Sequence, residues 1–208
     1  MSVLGYADPP YIGCAHLYRD QPEYAGEVDH ARLVDRLQSE FDGWVLHAAA
    51  TPESIATLAP LVASTGARWM SWVKGFAAFK KNVSVAYAWE PVIVKPARKP
   101  VVSKRLVMRD WVECSITLKR GLTGAKPEKV CHWAFEMVGA RPEDDMVDLY
   151  PGTGAVSAAW RSRTARGWTS TTWPTCTRKS PPRRDRRPTP PSSSTPSTIS
   201  PPSYPPSP

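Results

Sequence analysis

Residues 146–160, MVDLYPGTGAVSAAW, hold the passage on which a reading of the fold turns. The apolar run MVDLY (146–150) has the look of a buried strand, and it enters the loop PGTG. A helix is expected to open at Gly154 with AVSAAW. Strand, glycine loop and helix in direct succession form the local unit of an open α/β sheet. Gly152 and Gly154 permit a tight turn and a close backbone approach to a ligand, and a helix start offers free N–H groups. No Lys-Ser/Thr pair follows, so this is not a phosphate loop of the Walker type, and the third glycine of the dinucleotide fingerprint is missing.

Working outward, the chain alternates the same two kinds of element. VLGYA (3–7) is a short strand stopped by Pro9 and Pro10. Across 28–41, Val28, Leu33, Val34, Leu37 and Phe41 recur at helical spacing. WVLHAAA (44–50) is a second strand. Thr51 then caps a helix that has Pro52 in its first turn, continues through IATLAPLVAST and is open to a kink at Pro60. ARWMSWV (67–73) is a third strand; YAWEPVIV (87–94) is a fourth, expected to form a hairpin with residues near Val83; MVDLY is the fifth. This alternation predicts an α/β domain with a mostly parallel sheet.

Charge divides the chain. From Arg161 onward there are nine basic side chains and one acid, a net of +8 that equals the formal charge of the whole protein. That segment also carries 12 of the 23 prolines and has no apolar periodicity, so residues 161–208 read as a disordered basic tail on a domain spanning 1–160. Within the domain, residues 95–129 hold ten basic and three acidic side chains, a net of +7, which suits a solvated loop and a phosphate backbone about equally on charge alone. The four cysteines and four histidines show no metal-ligand spacing. No signal segment and no bilayer-spanning apolar run is present, and the expected location is intracellular and cytoplasmic.

The stretch DPPY (8–11) sits at the end of the first strand, where open α/β sheets bind ligands. An exocyclic amino group on a base is a poor nucleophile, because its lone pair is delocalised into the ring. Two acceptors that take its two hydrogens would localise that pair. The Asp8 carboxylate is one; the Pro9 carbonyl, held by two prolines with fixed φ, is the other. Tyr11 offers an aromatic face for stacking. A proline-rich turn capped by an aspartate competes with this reading when the tetrapeptide is taken alone.

DPPY resembles the catalytic motif of amino-group methyltransferases, and DLYPGTGAV resembles their S-adenosylmethionine loop, DPFxGxGT. Asp148, Tyr150, Gly152 and Gly154 fall on its Asp, Phe and two glycines, while Leu149 replaces the proline and Ala155 the threonine. KPEKV (126–130) resembles the Lys-Pro segment that precedes the loop, with the helix WAFEMVGA after it. This order is that of the β-class DNA methyltransferases, and the DPPY form is associated with adenine N6 chemistry. The resemblance covers residue 3 to about 160. It implies a Rossmann-like, circularly permuted sheet, incomplete at its C-terminus because two strands expected after the glycine loop are missing from the sequence. It further implies Asp8, Pro9, Pro10 and Tyr11 as catalytic residues, and Lys126, Pro127, Asp148, Tyr150, Gly152 and Gly154 as cofactor-binding. The partner would be double-stranded DNA, met by a recognition insertion at about 95–125 through Lys95, Arg98, Lys99, Lys104, Arg105 and Arg109. Two alternatives are a non-catalytic DNA-binding remnant and an RNA adenosine methyltransferase, whose usual motif is DPPW.

Overall fold

The structure, a computed structural model, describes residues 1–20, 24–75, 84–99, 108–116 and 125–165. In chain order the elements are β1 (Val3–Ala7), a 3-10 turn (Ala15–Tyr18), α1 (His30–Glu40), β2 (Gly43–His47), α2 (Pro52–Val62), β3 (Arg68–Val73), β4 (Trp89–Lys95), β5 (Trp111–Glu113), α3 (Glu128–Val138), β6 (Asp145–Asp148) and α4 (Ala155–Ala165). The six strands form one sheet in the order β5-β3-β4-β2-β1-β6. Neighbours run parallel except β4, which is antiparallel to both β2 and β3. The mixed α/β architecture with a mostly parallel sheet therefore matches the alternation of the sequence.

Local chemistry sets the helix starts. The Asp29 side chain accepts from the Arg32 amide and caps α1, which moves its start to His30. Thr51 Oγ1 accepts from the Ser54 amide at 3.2 Å, and Pro52 occupies the first turn of α2, which continues through Pro60 to Val62. Gly139, at a φ of 75°, ends α3 in the left-handed conformation.

Period-2 alternation splits the core into two layers. Ala7, Trp44, Leu46 and Ile93 pack against Leu33, Val34 and Leu37 of α1 and Leu58 and Val62 of α2. Tyr6, on the other face of β1, meets Phe135 of α3 edge-on at 6.0 Å, and Phe135 meets Trp160 of α4 at 5.2 Å. Helices that follow the adjacent parallel strands β1 and β6 thus lie on opposite faces, the arrangement that leaves a crevice at the strands' carboxyl ends.

Three expectations change. β4 pairs with β3 and β2, so its hairpin partner is β3; residues 81–83 lie outside the described residues. β5 was not expected, because WVE is too short to show an alternation and lies inside the basic stretch. The helix after the glycine loop continues past Arg161 to Ala165, secured by a bond from Arg163 to Glu136 on α3. Among the described strands β6 closes one side of the sheet, and its Val147 is 41% exposed. No described helix is long and apolar enough to cross a membrane.

Candidate active site

The parallel pairing of β1 with β6 puts Tyr6 opposite Asp148, and the Leu149 amide donates to the Tyr6 carbonyl at 2.9 Å. The two chains leave the sheet next to each other immediately afterwards. Asp8 and the two prolines depart from one strand, Tyr150 and the glycine turn from the other. Adjacent strands lie about 4.8 Å apart, so DPPY and PGTG share one end of the sheet.

Asp8 is not alone there. Its Oδ1 is 2.8 Å from the Lys126 ammonium, which comes from the segment leading into α3. That ammonium is also 3.7 Å from Glu90 Oε2 and donates to the Tyr11 hydroxyl at 3.2 Å. Tyr11 in turn donates to Glu90 Oε2 at 2.7 Å, and the other Glu90 oxygen holds Lys74 Nζ at 2.5 Å. Lys126 lies over the rings of Tyr11 (5.5 Å) and Trp72 (5.6 Å). The result is a row of alternating charges, Lys74, Glu90, Lys126 and Asp8, with side chains only 14%, 12%, 5% and 18% exposed.

Burial and pairing set the protonation states. Burial pushes the Asp8 carboxyl up, Lys126 pulls it back, and Glu90 adds to the rise; the net is a value above that of an ordinary aspartate. Burial acts on Glu90 in the same direction, but Lys126 and Lys74 together outweigh it and hold Glu90 below its ordinary value. Burial alone would lower Lys126; Asp8 and Glu90 more than compensate, so it stays an ammonium. Two carboxylates share this lysine, and Glu90 has a second cation. Asp8 is therefore the one that protonates first as pH falls. Beneath this layer the Tyr6 hydroxyl and His47 Nε2 are 2.7 Å apart, and burial, with a contribution from Lys126, keeps His47 neutral.

The glycine turn has its own anchors. Asp148 accepts from the Tyr150 amide and from Ser157 Oγ, both at 3.3 Å. Burial raises its carboxyl, and the charge of Asp8 adds to the rise, an electrostatic trace of their proximity. Gly152 (φ 44°) and Gly154 (φ 71°) take left-handed conformations that other residues adopt at a cost. A Cβ built on Gly152 would touch only the Tyr150 carbonyl oxygen at 3.8 Å, and one on Gly154 would touch nothing. The turn therefore presents bare backbone to open space, followed at once by the N-terminus of α4.

The residues expected to act together divide as follows. Asp8, Pro9, Pro10 and Tyr11 come to the same end of the sheet as Asp148, Tyr150, Gly152 and Gly154. Lys126, assigned to the cofactor by resemblance, has its ammonium on Asp8 and Tyr11, and Pro127 is the N-cap of α3. The basic insertion fares differently. Lys95 closes β4 opposite Trp44, and because β4 is antiparallel this is the far end of the sheet from Asp8. Arg98 forks onto Asp144 and also donates to the Gly139 carbonyl and Ser2 Oγ, so its guanidinium fastens that far end. Lys99 follows it and is exposed. Arg109 lies over the Trp111 ring at 5.1 Å on the outer edge. Lys104 and Arg105 lie outside the described residues. Among the described residues of the insertion, Lys95, Arg98 and Arg109 thus lie away from Asp8.

Glu90 and Lys74 were missed as site residues. The available signal was an acid directly ahead of the apolar run PVIV and a lysine directly after WMSWV. No group of three or more His, Cys, Asp or Glu side chains among the described residues is arranged to hold a metal ion.

No protein-family model matches the sequence, and no curated protein matches it. Among solved structures, the crystal structure of the M1.HpyAVI–SAM complex is similar over 77% of this chain and 76% of its own, at 17% identity and a TM-score of 0.48. A crystal structure of M1.HpyAVI is similar over 78% of this chain and 75% of its own, at 13% identity and a TM-score of 0.43.

Proposed function

We propose that the chain is an S-adenosylmethionine-dependent methyltransferase that acts on the N6 amino group of adenine in double-stranded DNA. The observation that carries this reading is the register Tyr6 opposite Asp148, which brings the DPPY acid and the glycine turn out of the sheet side by side. The adenine and DNA parts rest on the DPPY resemblance; the positions of Lys95, Arg98 and Arg109 add nothing to them.

The residues present fit the cofactor. Backbone at Gly152 and Gly154 is open to approach, the start of α4 supplies N–H groups, and Asp148 and Tyr150 border the turn. When bound, S-adenosylmethionine supplies an electrophilic methyl group. The chain's own part is to make an exocyclic amine nucleophilic. The Asp8 carboxylate accepts one amino hydrogen and the rigid Pro9 carbonyl accepts the other, which leaves the nitrogen lone pair free of the ring. Tyr11, tethered through its hydroxyl to Glu90, presents a fixed ring to the flipped-out base. The rate gain in such a site comes chiefly from positioning.

Incubating duplex DNA with methyl-labelled S-adenosylmethionine, then digesting it and identifying the nucleosides, tests the reading. Labelled N6-methyladenine is the expected product. Label in another base moves the substrate assignment, and no label together with no cofactor binding by calorimetry rejects the enzyme.

A further inference from the structure

On the reading of Asp8 as an acceptor for the target amine, we infer that Lys126 is a positioning residue: its ammonium, 2.8 Å from Asp8 Oδ1, keeps Asp8 in the carboxylate form. A protonated acid has a donor on one oxygen and cannot hold an amino hydrogen there. Asp8 stands where a lone carboxyl would take up a proton, because it is largely removed from water and has like charges around it.

The groups facing Asp8 come from five directions. Tyr11, three residues on, feels the Asp8 charge and stays a neutral phenol; burial raises its value first, then Glu90 and Asp8. Tyr18, from the 3-10 turn, feels the Asp8 charge. Glu90 and Lys74 come from the β3–β4 side, and Lys74 is bonded to the Glu90 oxygen that faces away from Tyr11. Asp148 comes from β6. Below lie Tyr6, neutral His47 and Cys131, the last held as a thiol by burial with its value pushed up to about 12. Among these described groups Lys126 is the cation in direct contact with Asp8. Lys74 answers much of the Glu90 charge, which leaves Lys126 to serve Asp8. Neither the DPPY motif nor the Lys-Pro segment announces this pairing, since 118 positions separate its members in the sequence.

The test reads Asp8 directly, by carboxyl carbon NMR titration of aspartate-labelled full-length chain, with Asp8→Asn identifying the signal. In Lys126→Met and Lys126→Gln the Asp8 midpoint should rise by about one to three pH units, the usual effect of losing an opposite charge in contact. Lys126→Arg should keep it near the wild-type value. Glu90→Gln keeps the ammonium and removes a like charge, so there the midpoint should fall. Where Lys126→Met does not fold, Lys126→Gln, which keeps a polar side chain in that place, decides the matter. An unmoved Asp8 in the Met and Gln variants, or a rise in Glu90→Gln, overturns the inference.

Methyl transfer supplies an independent reading. The acid limb of the pH–rate profile should move up with the Asp8 midpoint, so that the Met and Gln variants regain activity as pH rises. A loss of the same size at every pH overturns the positioning role. A wild-type chain that transfers no methyl group fails the enzyme assignment instead, and the carboxyl titration then decides on Lys126 by itself.

Discussion

At the residue scale the proposed function depends on one acceptor, Asp8, and on what holds it. Asp8→Asn keeps the shape and replaces one acceptor oxygen by a donor. Methyl transfer should fall by about 10²–10⁴-fold, the range for losing a side chain that handles a proton of the reacting group. Cofactor affinity, measured by calorimetry, should stay within a few-fold. DPPY was legible in the sequence because its residues are contiguous and its chemistry is local. The partners of Asp8 were not. Glu90 stands at the start of a strand, a place that reads as the wrong end for an open α/β site. It belongs there because β4 runs against its neighbours, so its first residues lie beside the last residues of the parallel strands. Strand direction comes from pairing, which a single sequence does not display.

At the element scale the glycine turn between β6 and α4 makes a separate prediction. Gly152→Val forces a β-branched residue into a φ of 44°, at a cost of about 1–3 kcal/mol, and places a side chain on the open backbone. Binding of S-adenosylmethionine should drop by at least about tenfold in calorimetry, since even 1.4 kcal/mol is a factor of ten. An unchanged affinity would remove the turn from the cofactor assignment. α1 was readable because its apolar residues recur at helical spacing, α2 because Thr51 and Pro52 mark its start, and β1, β2 and β3 because they are short apolar runs. β5 was not: three residues carry too little pattern, and its surroundings read as a basic loop. Arg98 misled for a related reason. A positive residue in a positive stretch looks free until its distant partner Asp144 is seen.

At the scale of the whole molecule the sheet has one fastened end and one end that carries the proposed site. At the fastened end the Arg98 fork meets Asp144, whose side chain is fully buried, while the amides of Ser2 and Arg141 donate to the same carboxylate. Burial would raise Asp144, but Arg98 and the two amides outweigh it and hold it below the ordinary value of 3.8. The stability this group contributes is therefore complete above about 3.8 and is lost as pH falls through the depressed value. Arg98→Met should cost roughly 3 kcal/mol in denaturant unfolding at neutral pH, the low end for a broken buried pair because Arg98 keeps a fifth of its side chain in water. The same variant should leave DNA binding unchanged. A selective loss of DNA affinity with unaltered stability would restore Arg98 as a phosphate contact.

The pairing of β1 with β6 also governs how the chain can be made. The Ser2–Asp144 bond spans 142 positions, and the strand that leads to Asp8 is completed long before the one that will lie against it. A ribosome adding about 5–20 residues per second leaves β1 waiting roughly 7–28 seconds for that neighbour. Contacts of such long range are also the slow ones to form. During the wait one flank of β1 can only be satisfied by water, by a helper protein or by a wrong strand. Recovery of folded chain should therefore depend on temperature and synthesis rate far more than the number of buried residues alone would lead one to expect.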